Sequence, residues 1–269
     1  MLKLNDIRDA YIAEGMSYLD AGSRVCQDVI LALIAKSPLA KNVTIKGGVV
    51  LRHFSDDSRR TTQDLDFDFI KYSISDESIK VFIGKLNNQA EISIEITAPI
   101  ENLKHQDYSG KRVHIRITDS EGTSIDTKLD IGVHKDNELK QKLCCFDLGK
   151  LDDSICLLAN TKEQIFTEKL KSLLRLGTLS TRYKDVFDMY YLACISGLDR
   201  ETLMADLKIV VFDDITMREN NLYDIRIRLK KVLTDLRFID RLNKSKRQNW
   251  LVIKPEQAAK GFLEFFNCL

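Results

Sequence analysis

Lys46-Gly47-Gly48, followed further along by Asp64-Leu65-Asp66-Phe67-Asp68, decides how this chain folds. Val43-Thr44-Ile45 ahead of the glycines reads as a short strand, Val49 to Phe54 as a short helix, and Leu65 to Ile70 as a second strand. Side chains two apart in a strand point the same way. Asp64, Asp66 and Asp68 therefore share one face, while Leu65 and Phe67 turn to the core. Carboxylates set side by side repel one another, and a divalent cation removes that cost. Mg²⁺ takes one or two carboxylates together with substrate phosphates. Gly47 and Gly48 let backbone N–H groups approach a phosphate, and the helix start that follows favours its charge. Each part alone has a plainer reading, a turn and a solvated strand face. Their order and nearness in the chain point instead to nucleoside triphosphate chemistry, with Lys46, Gly47 and Gly48 on the nucleotide and Asp64 and Asp66 on Mg²⁺.

Composition bounds the rest. The chain has 269 residues, 44% hydrophobic and 30% charged, with a net charge of +1. That suits a soluble protein with a real core and excludes a globally electrostatic nucleic-acid binder, though not a local basic patch. Cys26, Cys144, Cys145, Cys156, Cys194 and Cys268 contain no C-x-x-C spacing. Free thiols in a reducing cytoplasm are expected rather than a disulfide framework or a zinc site. The first residues lack the apolar run of a signal peptide, and Ile30 to Ala35 is too short to span a bilayer. A cytoplasmic location with no membrane partner follows as the expectation.

Helical spacing runs through residues 5–36, and Ser75 to Leu86 suits an amphipathic helix. Clean alternation in Ile92–Ile96, Val113–Ile117 and Thr123–Val133 predicts three strands. His114 and Arg116 fall on the polar face of the second, and Asp126, Lys128 and Asp130 on that of the third. From Thr161 the texture turns helical, opening with a capping box at Thr161-Lys162-Glu163-Gln164. Lys184–Ile195, Arg200–Lys208, Arg218–Leu233 and Glu256–Phe266 are further helix candidates. The predicted organisation is an α/β part with a mixed sheet over 1–160, N-terminal helices included, and a mainly helical part over 161–269.

A two-metal phosphoryl-transfer site needs a further carboxylate. Asp126 and Asp130 share a face, and Asp130 is the choice, because Asp126 lies further along the strand. Lys169 sits among the apolar positions Phe166, Leu170 and Leu173, where a lysine is a point cation for a triphosphate; Lys171 reads as an exposed helix lysine. Arg182 and Asp185 are spaced to meet on one helix face, either as a surface pair or as an orienting group for the nucleotide. Beyond Tyr223 the chain turns basic, with Lys230, Lys231, Lys244, Lys246 and Arg247 followed by Trp250. This is either a solvated face or a phosphate-binding run with an aromatic for stacking on RNA.

Four blocks together resemble the nucleotidyltransferase superfamily and, more narrowly, the AbiEii-type toxins with their MenT-like members. They are Lys46-Gly47-Gly48 with Leu51-Arg52; Arg60-x-Thr62-x-Asp64-Leu65-Asp66-Phe67; Phe166-Thr167-Glu168-Lys169-Leu170 with Leu174; and Arg182-Tyr183-Lys184-Asp185-Val186-Phe187-Asp188-Met189. They cover residues 45–192. The resemblance implies a nucleotidyltransferase-like fold, with catalytic carboxylates at Asp64 and Asp66, the helix lysine at Lys169 and the late aspartate at Asp185. Many superfamily members carry Gly-Ser where this chain has Gly47-Gly48. The implied activity is Mg²⁺-dependent transfer of a nucleoside monophosphate from an NTP to an acceptor hydroxyl; Asp130, chosen above from its strand position, is expected to complete the metal site. The implied acceptor is a tRNA 3′ end, and the implied partner is the antitoxin of a toxin–antitoxin pair. Two rival expectations are a nucleotidyltransferase acting on a protein or small molecule, and a non-catalytic module that binds a partner.

Overall fold

The computed structural model describes residues 2–87, 91–103, 110–134, 139–151 and 154–269. The chain forms two compact units, Met1–Asn160 and Thr161–Leu269.

The first unit is built on a mixed sheet. Its strands are β1 (Val43–Lys46), β2 (Leu65–Phe69), β3 (Ser93–Ile96), β4 (Glu101–Leu103), β5 (Gly110–Thr118), β6 (Ser124–Val133), β7 (Lys142–Asp147) and β8 (Ser154–Ala159). The order is β3-β5-β6-β2-β1-β8-β7, with β4 beside β5. β2 runs antiparallel to β1 and parallel to β6, and β1 runs parallel to β8. Helices α1 (Leu4–Ala13), α2 (Tyr18–Lys36), α3 (Gly47–Ser55) and α4 (Asp76–Asn87) complete the unit. Leu65, Phe67 and Phe69 are buried on one face of β2, and Phe82 of α4 packs edge-on to Phe69. Alternation in β2, β5 and β6 thus sends the apolar side chains to the helices and the charged ones to the opposite face.

The predicted mixed α/β architecture is present, with differences in detail. Residues 5–36 form two helices, because Ser17 caps α2 by accepting the Asp20 N–H at 3.2 Å. β4, β7 and β8 were not expected. β7 and β8 form an antiparallel hairpin that sets Cys145 opposite Cys156, Cα to Cα 4.0 Å apart, and the two are disulfide-bonded. The expectation of free thiols fails at this pair, since strand register brings together two cysteines whose spacing gave no sign of it. Cys26 stays a buried thiol, pushed up to about 12 by burial.

The second unit holds α5 (Lys162–Leu176), α6 (Tyr183–Tyr190), α7 (Arg200–Leu207), α8 (Leu222–Leu233), α9 (Leu236–Lys244) and α10 (Pro255–Cys268). Thr161 and Gln164 form the expected capping box, and Phe166 packs against Phe262 and Phe266 of α10. Wider π-type turns, Tyr191–Ser196 and Lys208–Phe212, extend α6 and α7. α8 starts at Leu222 rather than near Arg218, and α9 was not foreseen. Among the described residues no helix is long and apolar enough to cross a membrane.

Candidate active site

In the first unit the turn from β1 into α3 lies beside β2. Register sets Lys46 opposite Asp66, and Asp66 opposite Asp130 on β6, which in turn stands opposite Arg112 on β5. One row of the charged face therefore reads Lys46, Asp66, Asp130, Arg112. The contact between the glycine turn and the carboxylate is close. Gly47 has φ +67°, and a Cβ added there would lie 2.4 Å from Asp66 Oδ2. Only glycine both adopts that backbone and leaves room for the carboxylate at the first residue of α3. Gly48 is constrained by volume: a Cβ there would meet Thr62 Oγ1 at 2.5 Å.

Asp64, Asp68, Asp126 and Asp130 on this face each have a cation. Asp68 lies 2.7 Å from the Lys46 ammonium. Lys46 thus commits charge to the last aspartate of the Asp64-Leu65-Asp66-Phe67-Asp68 stretch. Asp64 lies just outside the strand, and its Oδ1 is 3.0 Å from Lys128 Nζ. This contact is an ion pair without the direction of a hydrogen bond, since the shielded oxygen makes none among the described residues. Asp130 accepts both Nε and Nη2 of Arg112, at 2.8 and 2.7 Å, and this fork raises the already high Arg112 pKa. Asp126 lies further along β6, exposed and paired with Arg116 at 2.8 Å. Asp130 is therefore the carboxylate brought beside Asp66. Arg112 and Lys128 were missed as partners, although strand parity already set them with His114, Arg116 and Asp130.

Hard carboxylate oxygens are the donor chemistry Mg²⁺ prefers. Among the described residues no three metal-ligating side chains form a ready cage. A cavity of about 450 Å³ elsewhere in this unit, lined by Tyr11, Arg24, Asp28, Arg52, His53 and Lys150 among others, contains none of the three carboxylates.

The second unit gathers the other candidates. Lys169 on α5 pairs with Asp185 and reaches Asp188 Oδ2 at 2.9 Å. Asp185 also forms an ion pair with Arg182, Oδ2 to Nε at 2.8 Å, and Asp188 accepts the Trp250 indole N–H at 2.8 Å. Two carboxylates and two cations thus interlock. Trp250 is 4% exposed, so it is a core residue and not the stacking platform expected from its position after the basic run. Lys171 also departs from expectation, being paired with Asp214. Burial pushes the Asp214 carboxyl up, but Lys171 and Thr216 outweigh it and hold it at about 2.

The basic run divides by role. Arg226, Arg228 and Arg241 donate to the carbonyls of Phe266, Leu174 and Thr178 and are structural. Lys230, Lys231, Lys244, Lys246 and Arg247 are exposed, with Lys244 pairing with Asp240 at 2.7 Å.

Residues 29–258 match a family model described as "Nucleotidyl transferase AbiEii toxin, Type IV TA system". No curated protein matches the chain.

Proposed function

The chain belongs to the AbiEii nucleotidyltransferase toxin family, and from that premise we propose that it transfers a nucleoside monophosphate from an NTP to an RNA hydroxyl, with a tRNA 3′ end as the acceptor. The family makes it a nucleotidyltransferase and a component of a toxin–antitoxin system. The observation that carries the site is Asp66, lying against Gly47 at the start of α3 and in register with Asp130.

In this reading Asp64 and Asp66 hold Mg²⁺, which when bound neutralises the triphosphate and polarises the α-phosphorus. The backbone N–H groups at Gly47 and Gly48 receive phosphate oxygens. The acceptor oxygen bonds to the α-phosphorus, the bond to pyrophosphate breaks, and the acceptor proton leaves to a base. Asp130 is proposed as the third carboxylate and the assistant to that deprotonation; the role requires Arg112 to release it. Lys169 and Asp185 enter by resemblance, Lys169 as the triphosphate cation and Asp185, which already binds both Lys169 and Arg182, as its orienting group. Catalysis of this kind is positioning plus charge neutralisation. A cognate antitoxin protein is the expected partner, and the cytoplasm the expected compartment.

The test is Asp64→Ala and Asp66→Ala, assayed with each labelled NTP against total RNA and total protein. Both variants should keep a cooperative thermal transition and lose label transfer to RNA by at least about 10²-fold. Normal turnover in either variant refutes the metal-site assignment. Label appearing on protein instead of RNA transfers the proposal to a protein acceptor.

A further inference from the structure

Asp64 stands just outside β2, on the segment that leads from Arg60 into the strand. A carboxylate that works beside Asp66 must nevertheless be held in place, because misplacement by an ångström costs about 10²-fold in rate. Gln27 of α2, 1% exposed, donates from Nε2 to the Thr62 carbonyl at 2.8 Å and reaches the Asp64 carbonyl at 3.4 Å. We propose that Gln27 is a positioning residue for the carboxylate site: its amide fixes the backbone carrying Thr62 and Asp64, and Arg52 fixes which way that amide points. This rests on the reading of Asp64 as a metal-holding carboxylate.

Polarity makes the arrangement one-directional. A glutamine side chain fits either way round by shape, and only its partners decide between oxygen and nitrogen. Arg52 Nη1 lies 2.5 Å from Gln27 Oε1. Burial, with repulsion from Arg24, lowers Arg52 to about 10, so it stays charged at neutral pH and can only donate. Gln27 therefore presents oxygen to Arg52 and its NH₂ group to the two carbonyls. Arg52 is anchored in turn. Its Nη2 lies 3.6 Å from Asp28 Oδ1, and Asp28, 0% exposed, takes Arg24 Nε at 2.8 and 3.0 Å and the Tyr11 hydroxyl. From the other side Thr62 presses on Gly48 with no room for a methyl group. Arg60 Nη1 adds a brace to the Thr61 carbonyl at 2.8 Å. The segment is held between α2 and α3, and a shift that relaxed one contact would break the other.

The test compares wild type with Gln27→Glu and Gln27→Met. The first keeps shape and the Arg52 contact but turns a carboxylate oxygen toward two carbonyls; the second removes both hydrogen-bonding ends. Amide hydrogen exchange is followed by mass spectrometry without nucleotide, and transfer is assayed separately. Peptides covering residues 59–66 should exchange at least about tenfold faster in both variants, while β5 and β6 peptides keep their wild-type rates. Transfer should fall by about 10²-fold, with a raised KM for the NTP. Unchanged exchange over 59–66, or equal loosening across the unit, overturns the inference. If Gln27→Glu fails to fold, Gln27→Met is read by the same criteria; if both fail, Gln27 is a general core residue and the inference falls. Exchange needs neither substrate nor acceptor, so a wrong assignment of the reaction leaves this result standing. Lost transfer without local loosening does the reverse.

Discussion

At the residue scale, two adjacent glycines meet two different demands. Gly47 is required by backbone conformation and by the Asp66 carboxylate above it, whereas Gly48 is required by its contact with Thr62. That explains why this chain departs from the Gly-Ser of many superfamily members. The hydroxyl near the turn belongs to Thr62, and it fills the space a serine Cβ would need. Gly48→Ser should therefore destabilise the protein by about 1–3 kcal/mol through overpacking. Adding Thr62→Gly should return much of that loss, because the two changes share one contact and cannot be additive. Urea unfolding of the two singles and the double checks this; a Gly48→Ser protein as stable as wild type would refute it. The glycine motif itself was legible in the sequence. The side chain that confines it was not, since Thr62 lies beyond the helix and only the fold brings the two together.

At the scale of elements, legibility tracked periodicity. β2, β5 and β6 alternate apolar and polar residues because one face meets helices and the other carries charge, so parity was readable strand by strand: Asp64 with Asp66, and Asp126 with Asp130; that β2 and β6 are neighbours came from the fold. β7 and β8 lack that contrast. Leu143 and Cys145 face outward beside inward Cys144 and Phe146, and Ile155 to Ala159 is an unbroken apolar run with no period to read. With the hairpin unseen, its cross-strand disulfide was invisible too. Cys145→Ser should lower the stability of the oxidised protein by about 2–4 kcal/mol, by freeing the unfolded chain from a closed loop. Dithiothreitol should remove the difference between variant and wild type. Alkylation of both thiols in the native protein before any reduction would show that the pair is not bonded.

At the scale of the whole molecule, a net charge of +1 conceals a divided surface. Three of the arginines after Tyr223 are committed to backbone carbonyls, which leaves exposed Arg237 and the five cations Lys230, Lys231, Lys244, Lys246 and Arg247 for any phosphate binding there. Reversing those five charges should weaken RNA affinity while sparing NTP affinity, and should flatten the salt dependence by close to one unit of slope for each phosphate no longer neutralised. Titration of RNA at several salt concentrations separates this from a solvated face, for which the slopes of wild type and variant coincide. The sequence located the basic run but could not sort it, since an arginine that uses its donors inside the fold looks the same in sequence as one that faces water.

The interlocked cluster in the second unit has an optical consequence. Trp250 is the chain's single tryptophan, and its indole N–H bonds to Asp188, the carboxylate that also holds Lys169. Excitation at the red edge of the protein's absorption therefore addresses one chromophore whose hydrogen bond shares an acceptor with that lysine. Any event that draws Lys169 away leaves that acceptor's charge without this cation, which alters the field at the indole and with it the colour and yield of the emission. The protein thus carries a built-in, label-free reporter on that lysine.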